Sequence, residues 1–131
     1  MDLIFHKRLK KFQKALSTLE EILADEKNTV TRDATIQRFE YTVEAFWKML
    51  KEYIYLLDRK ETRSPRSTML ELKNIDFFSE KETDLALEMI QSRNLTVHAY
   101  EEKLAEKIAS EIPEYKNFME KILERIQDNL N

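Results

Sequence analysis

Apolar residues recur along most of this chain at alternating steps of three and four, the period of an α-helix with one buried face. Phe5, Leu9, Phe12, Leu16, Leu19 and Leu23 form the first such stripe and predict a helix from about Asp2 to Ala24. Asp25 to Thr31 reads as a polar connection. Ile36, Phe39, Val43, Phe46, Trp47, Leu50, Ile54 and Leu57 then share one broad arc at about 100° per residue. They predict a long second helix over Asp33 to Asp58. Two helices joined by so short a link form an antiparallel hairpin.

Arg59 to Arg66 reads as a basic surface loop. Ser64-Pro65 has the form of an N-cap followed by proline at the first helical position, predicting a short helix to about Lys73. Asn74 to Phe78 is a break. Ser79-Glu80-Lys81-Glu82 fits a capping box, in which serine and glutamate each satisfy a free backbone N–H. The next helix should run from there to about Arg93. Asn94-Leu95-Thr96 predicts a kink or turn, and the helix after it should carry Val97, Leu104 and Ile108 on its apolar side. Near Ser110 to Pro113 the pattern resets, with a proline suited to a helix start. Tyr115, Phe118, Met119, Ile122, Ile126 and Leu130 predict a last helix. The expected fold is all-α: an antiparallel four- to five-helix up-and-down bundle forming a single domain over residues 1–131.

Composition sharpens this picture at three points. The chain has no glycine, which argues against β-hairpins and against any glycine-rich phosphate loop. It has no cysteine, which removes disulfides, thiolate metal sites and cysteine nucleophiles. Only His6 and His98 are histidines, and no Glu-x-x-His motif is present, so no metal site is expected. The first residues show no secretory pattern and no stretch has the length of a membrane span, so a cytoplasmic protein without membrane contact is expected. Net charge is −3, against a nonspecific nucleic-acid coat, but it divides as +3 over residues 1–66 and −6 over residues 67–131. That division is ordinary scatter between helices, or two faces that seat different partners.

One segment gathers groups capable of chemistry: Arg93-Asn94-Leu95-Thr96-Val97-His98-Ala99-Tyr100. On an unbroken helix Arg93 and His98 would stand about 140° apart and could not meet one ligand. A break at Asn94 to Thr96 could bring them together, and a two-fold dimer could pair them across subunits. If Thr96 capped the following helix, His98 would lie in its first turn, where the dipole favours anions and lowers imidazole basicity. Arg93 could then neutralise phosphate oxygens while His98 transfers a proton. The plainer reading makes them a cap and a surface group. Glu40, at the edge of the second helix's apolar arc, needs a partner if half-buried. Arg93 or Arg32 could supply it; otherwise Glu40 leans into solvent or pairs with Lys51. Arg38 points away from the core and reads as solvated or interfacial.

Arg93-x-x-x-x-His98-x-Tyr100, with polar Asn94 after the arginine, resembles the R-x(4–6)-H motif of the HEPN superfamily in its tyrosine-extended form. Separately, Arg32-Asp33-Ala34-Thr35-Ile36-Gln37-Arg38-Phe39-Glu40-Tyr41, followed by Glu44 and Trp47-Lys48, is similar to the helix-two signature of the nucleotidyltransferase substrate-binding family. The resemblance runs from the first helix to about Ile126. It implies a HEPN-like bundle similar to the C-terminal helical domain of aminoglycoside nucleotidyltransferases. It implies homodimers or higher homo-oligomers and a small nucleotidyltransferase encoded nearby as partner. ATP and Mg²⁺ would belong to that partner, and no cofactor to this chain.

Two functions follow from the resemblance. In the first, the chain is a non-catalytic substrate-binding partner of a minimal nucleotidyltransferase. In the second, it is a metal-independent endoribonuclease toxin acting on RNA through Arg93 and His98, neutralised when the nucleotidyltransferase adenylylates Tyr100. A third reading, independent of the family, is a structural helical adaptor.

Overall fold

The structure, a computed structural model, describes residues 2–130. Five α-helices follow one another: α1 (Leu3–Leu23), α2 (Thr29–Asp58), α3 (Pro65–Asn74), α4 (Glu80–Leu95) and α5 (Glu102–Leu130), with a 3₁₀ turn, Thr96–His98, before α5. No strand occurs among the described residues.

Side-chain pairs between helices fix their directions. Phe5 meets Tyr53, Phe12 meets Phe46, and the Thr18 hydroxyl bonds that of Tyr41, so α1 and α2 run antiparallel. Arg32 reaches Glu106, Phe39 stacks on Tyr115, and Asn129 donates to the Tyr53 hydroxyl, so α2 and α5 run parallel. Ser92 lies against Glu111 and Glu82 against Arg125, which sets α4 antiparallel to α5. The four long helices thus alternate up and down, and short α3 is set between α2 and α4.

Local signals explain most boundaries. The Asp2 carboxylate accepts from the Ile4 and Phe5 N–H groups and starts α1. Ser64 and Ser79 both form capping boxes, the first with Pro65 at the opening position of α3. The basic loop begins with Arg59 in the left-handed conformation (φ 55°), its guanidinium 5.2 Å from the Tyr55 ring centre. Asp76 is left-handed too (φ 60°), in the turn that closes α3. Glycine is the usual occupant of such positions.

The bundle departs from the expected pattern at several places. Helix α2 begins at Thr29, not Asp33, because Asn28 and Thr31 form a capping box that the polar composition of this stretch conceals. Replacing Asn28 with alanine is expected to destabilise the protein by about 1 kcal/mol, read as a lower urea midpoint with unchanged slope. No reset occurs at Pro113: α5 runs through it. Its buried residues Ala105, Ile108, Ile112, Tyr115, Met119, Ile122 and Ile126 form one stripe in phase across the proline. Pro113 itself is exposed, so the carbonyl it leaves unpaired can be met by water. Leu57 and Val97, expected on apolar faces, are 53% and 65% exposed. Arg38 is neither free nor fully solvated: its Nη1 donates to the Thr18 carbonyl at 2.6 Å, tying α2 to α1.

Candidate functional site

Helix α4, started by the Ser79–Glu82 box, delivers Arg93 in its last turn. The guanidinium turns toward α2. Its Nη2 lies 3.9 Å from Glu44 Oε2, an ion pair too long to be a hydrogen bond. Its Nε is buried without a hydrogen-bond partner. Glu44 is also 3.2 Å from Lys48 Nζ, one turn further along α2. Burial would raise the Glu44 pKa, but Trp47, Lys48 and Arg93 outweigh it and hold the carboxyl below its ordinary value. The Trp47 indole N–H points near Glu44 without a well-formed hydrogen bond.

Arg93 therefore opens onto a cleft of about 330 Å³ between α1 and α2, whose walls include Arg8, Lys11, Tyr41, Glu44 and Lys48. Glu40 is half-buried in the same cleft. It is not the partner of either expected arginine. Arg93 pairs with Glu44, one turn on from Glu40. Arg32, with its side chain only 10% exposed, is clamped by Asp33, Glu102 and Glu106, which raise its pKa further. No ion pair among the described residues joins Glu40 to Lys51.

The motif segment leaves α4 through a 3₁₀ turn. The Thr96 hydroxyl donates back to the Arg93 carbonyl at 2.7 Å. Thr96 thus closes α4 and does not cap the next helix, which begins only at Glu102. His98 lies in the 3₁₀ turn, outside α5, and not in the first turn of a helix as expected. His98 is exposed and its ring centre is 6.2 Å from that of Tyr100, which is 79% exposed. Asn94 is exposed on a groove with Arg66, Asp84 and Glu88, and it also lines a groove between α2 and α4 with Arg93, Glu44 and Trp47. Within one chain, then, His98 and Tyr100 are neighbours on the turn. The two clefts that Arg93 lines are walled by α1, α2, Pro65 and the end of α4, and neither includes His98 or Tyr100.

Two polar arrangements escape the sequence reading altogether. Buried Tyr115 shares a 3.1 Å hydroxyl contact with Ser92, whose hydroxyl also donates to Glu111 at 3.1 Å. Burial pushes the Tyr115 phenol up from its ordinary pKa. Glu82 binds Arg125 through both carboxylate oxygens and Lys121 at 2.9 Å. Tyr115 and Glu82 lie at positions the periodicity assigns only to core and cap. No group of three or more potential metal ligands occurs among the described residues. No helix among them is long and apolar enough to cross a membrane.

This helical chain matches a known family. Residues 7–128 match the family described as nucleotidyltransferase substrate binding protein like, and the chain belongs to that family. It is similar to a Thermus thermophilus protein of known crystal structure. That protein is 43% identical, with a TM-score of 0.83, over 87% of this chain and 97% of the other. It is also similar in fold to the tri-AMPylated HEPN toxin of Shewanella oneidensis, solved in complex with its MNT antitoxin. There the identity is 15% and the TM-score 0.77, over 98% of this chain and 99% of the toxin. The toxin–antitoxin structure MntA–HpeT gives 14% identity and a TM-score of 0.79, over 97% and 99%. At these last identities the likeness is one of fold. No curated protein matches the chain.

Proposed function

We propose that this protein is the helical partner subunit of a small nucleotidyltransferase, and that it offers the turn after α4 to that enzyme. The observation that carries the reading is the concentration of exposed apolar groups on this turn. Leu95, Val97 and Tyr100 are 36%, 65% and 79% exposed, on a short segment held between two long helices. Exposed aromatic and aliphatic side chains on a rigid frame suit a protein interface. Family membership and the complexes formed by structural neighbours support the same partner. ATP, Mg²⁺ and the catalytic carboxylates belong to the nucleotidyltransferase in this reading. A cytoplasmic location and self-association into a homodimer are part of it.

The test is co-expression with the small nucleotidyltransferase that this reading expects to be encoded nearby, followed by co-purification. A stable complex is expected, weakened at least ~10-fold in Tyr100→Ala, since buried interface aromatics typically contribute ~2 kcal/mol or more. Separate elution of the two wild-type proteins would reject the proposal.

In a second reading, the exposed Tyr100 phenol is also a substrate. Its oxygen would attack the α-phosphorus of ATP on the partner, lose its proton to a base there, and release pyrophosphate. AMP increments in the intact mass of wild type, absent from Tyr100→Phe, would place the chain among modified toxins. An unmodified mass after co-expression with active enzyme would discard that reading.

A further inference from the structure

The turn that carries His98 and Tyr100 has little support of its own. Its backbone bonds are local: the Ala99 N–H donates to the Thr96 carbonyl and the Glu101 N–H to the His98 carbonyl. Among the described residues, Thr96 is the last before the turn whose side chain makes a hydrogen bond, and Glu102 is the first after it. Between Thr96 and Leu104, only Ala99 rests against the apolar core. The direction in which this turn leaves α4 and enters α5 is therefore set largely at its two ends.

At the far end stands Arg32, near the start of α2. Its Nη1 donates to Glu102 Oε1 and, at 2.7 Å, to Glu106 Oε1, while its Nη2 donates to Glu102 Oε2 at 3.3 Å. Nε and Nη2 also donate to Asp33 Oδ1, at 3.1 and 3.0 Å. All five N–H donors of the guanidinium are thus in use. Asp33 aims the fork from its own helix, and the fork grips the first two turns of α5. The guanidinium is nearly covered, although its three carboxylate partners stand in solvent. Single surface ion pairs add little to stability, but a bidentate fork shared among several carboxylates fixes geometry. Glu102 follows Tyr100 by two residues, so the place of one constrains the place of the other.

We propose that Arg32 is a positioning residue for the exposed turn: by gripping Glu102 and Glu106 it sets where α5 begins, and so how Val97, His98 and Tyr100 are presented to a partner. Presentation to a nucleotidyltransferase rests on the function proposed above; the grip on the turn rests on the geometry alone. Arg32 acts through α5 and not on the partner itself. Its shape matters more than its charge, because lysine offers a compact cation with three donors and no fork. A segment held in its bound conformation binds more tightly, since less order has to be imposed on association.

The chain has only two histidines, which makes the experiment direct. His98 lies on the turn, its ring centre 6.2 Å from that of Tyr100, so its imidazole resonances report the local geometry. His6 lies near the start of α1, beside Phe5 at the opposite end of the bundle, and serves as the control. In the full chain alone, Arg32→Lys and Glu102→Ala are both expected to keep the wild-type helical circular dichroism. Both should move the His98 resonances in the same direction and leave those of His6 in place. A loss of stability alone would lower the urea midpoint without moving a native resonance. Binding of the small nucleotidyltransferase should weaken about 10-fold in each variant. Unmoved His98 resonances in both variants would overturn the grip, whether or not a complex forms. If Arg32→Lys does not fold, Glu102→Ala decides the question by the same readout. Displaced His98 resonances with undiminished binding would overturn the bearing on the partner. Failure of the wild type to bind would count against the partnership itself, and the resonances of the isolated chain would still decide the grip.

Discussion

Replacement of Phe46 by alanine is expected to destabilise the protein by about 3–5 kcal/mol. Phe46 is fully buried in α2. Its ring centre is 5.1 Å from Phe12 in α1 and 6.1 Å from Phe118 in α5, the latter edge to face. Phe118 in turn meets Phe78, in the turn before α4, at 5.7 Å. Truncation therefore opens a void where three parts of the bundle converge, and rigid helices close such voids only in part. Equilibrium urea unfolding, followed by helical circular dichroism, measures the loss. A change below about 1 kcal/mol would mean that these rings do not form a common core.

Acid should remove a second, smaller contribution, centred on Glu82. Arg125 lowers the Glu82 pKa most; burial opposes this, and the Ser79 N–H and Lys121 add to it, leaving the carboxyl at about 2 against an ordinary 4.5. A carboxyl whose pKa is depressed by folding stabilises the folded state above its unfolded pKa, and that stabilisation fades as pH falls toward the folded value. The window here lies between about 4.5 and 2. After allowance for solvent around the group, the contribution is about 1–2 kcal/mol. Glu82→Gln should be less stable than wild type by that amount at neutral pH, and the difference should shrink as the solution is acidified below about pH 4.5. Urea midpoints for both proteins across this range provide the check. A difference that stays constant with pH would mean that Glu82 acts by shape and not by charge.

The long helices are legible because their periodicity is long. The α1 stripe from Phe5 to Leu19 and most of the α2 arc are buried where the spacing puts them. Ser64 and Ser79 announce their helices by local chemistry, and both form the boxes expected. The sequence misleads where one residue's local preference is set against its neighbours. Pro113 suggests a break, although Ile108, Ile112 and Tyr115 keep phase across it, and burial of that stripe holds the helix together. Thr96 reads forward as a cap, whereas its hydroxyl turns back to Arg93. Polar residues at helix ends can serve either side, and only the course of the backbone decides between them.

The sequence places the motif residues along the chain but does not give their pairings. Arg93, Asn94, His98 and Tyr100 do occupy one end of α4 and the turn beyond it. That Arg93 meets Glu44 and not Glu40 depends on how α4 is rotated against α2, which no single-helix pattern contains. The cations of α1 that complete the cleft look like a solvated face in the sequence for the same reason.

The left-handed residues at Arg59 and Asp76 bear on the denatured chain more than on the native one. Glycine at either position would ease the backbone locally. It would also hand the disordered polymer a joint with far more conformations to surrender on collapse. With a β-carbon at every one of its 131 positions, this polypeptide starts from a stiffer random coil. Ordering it therefore sacrifices less disorder.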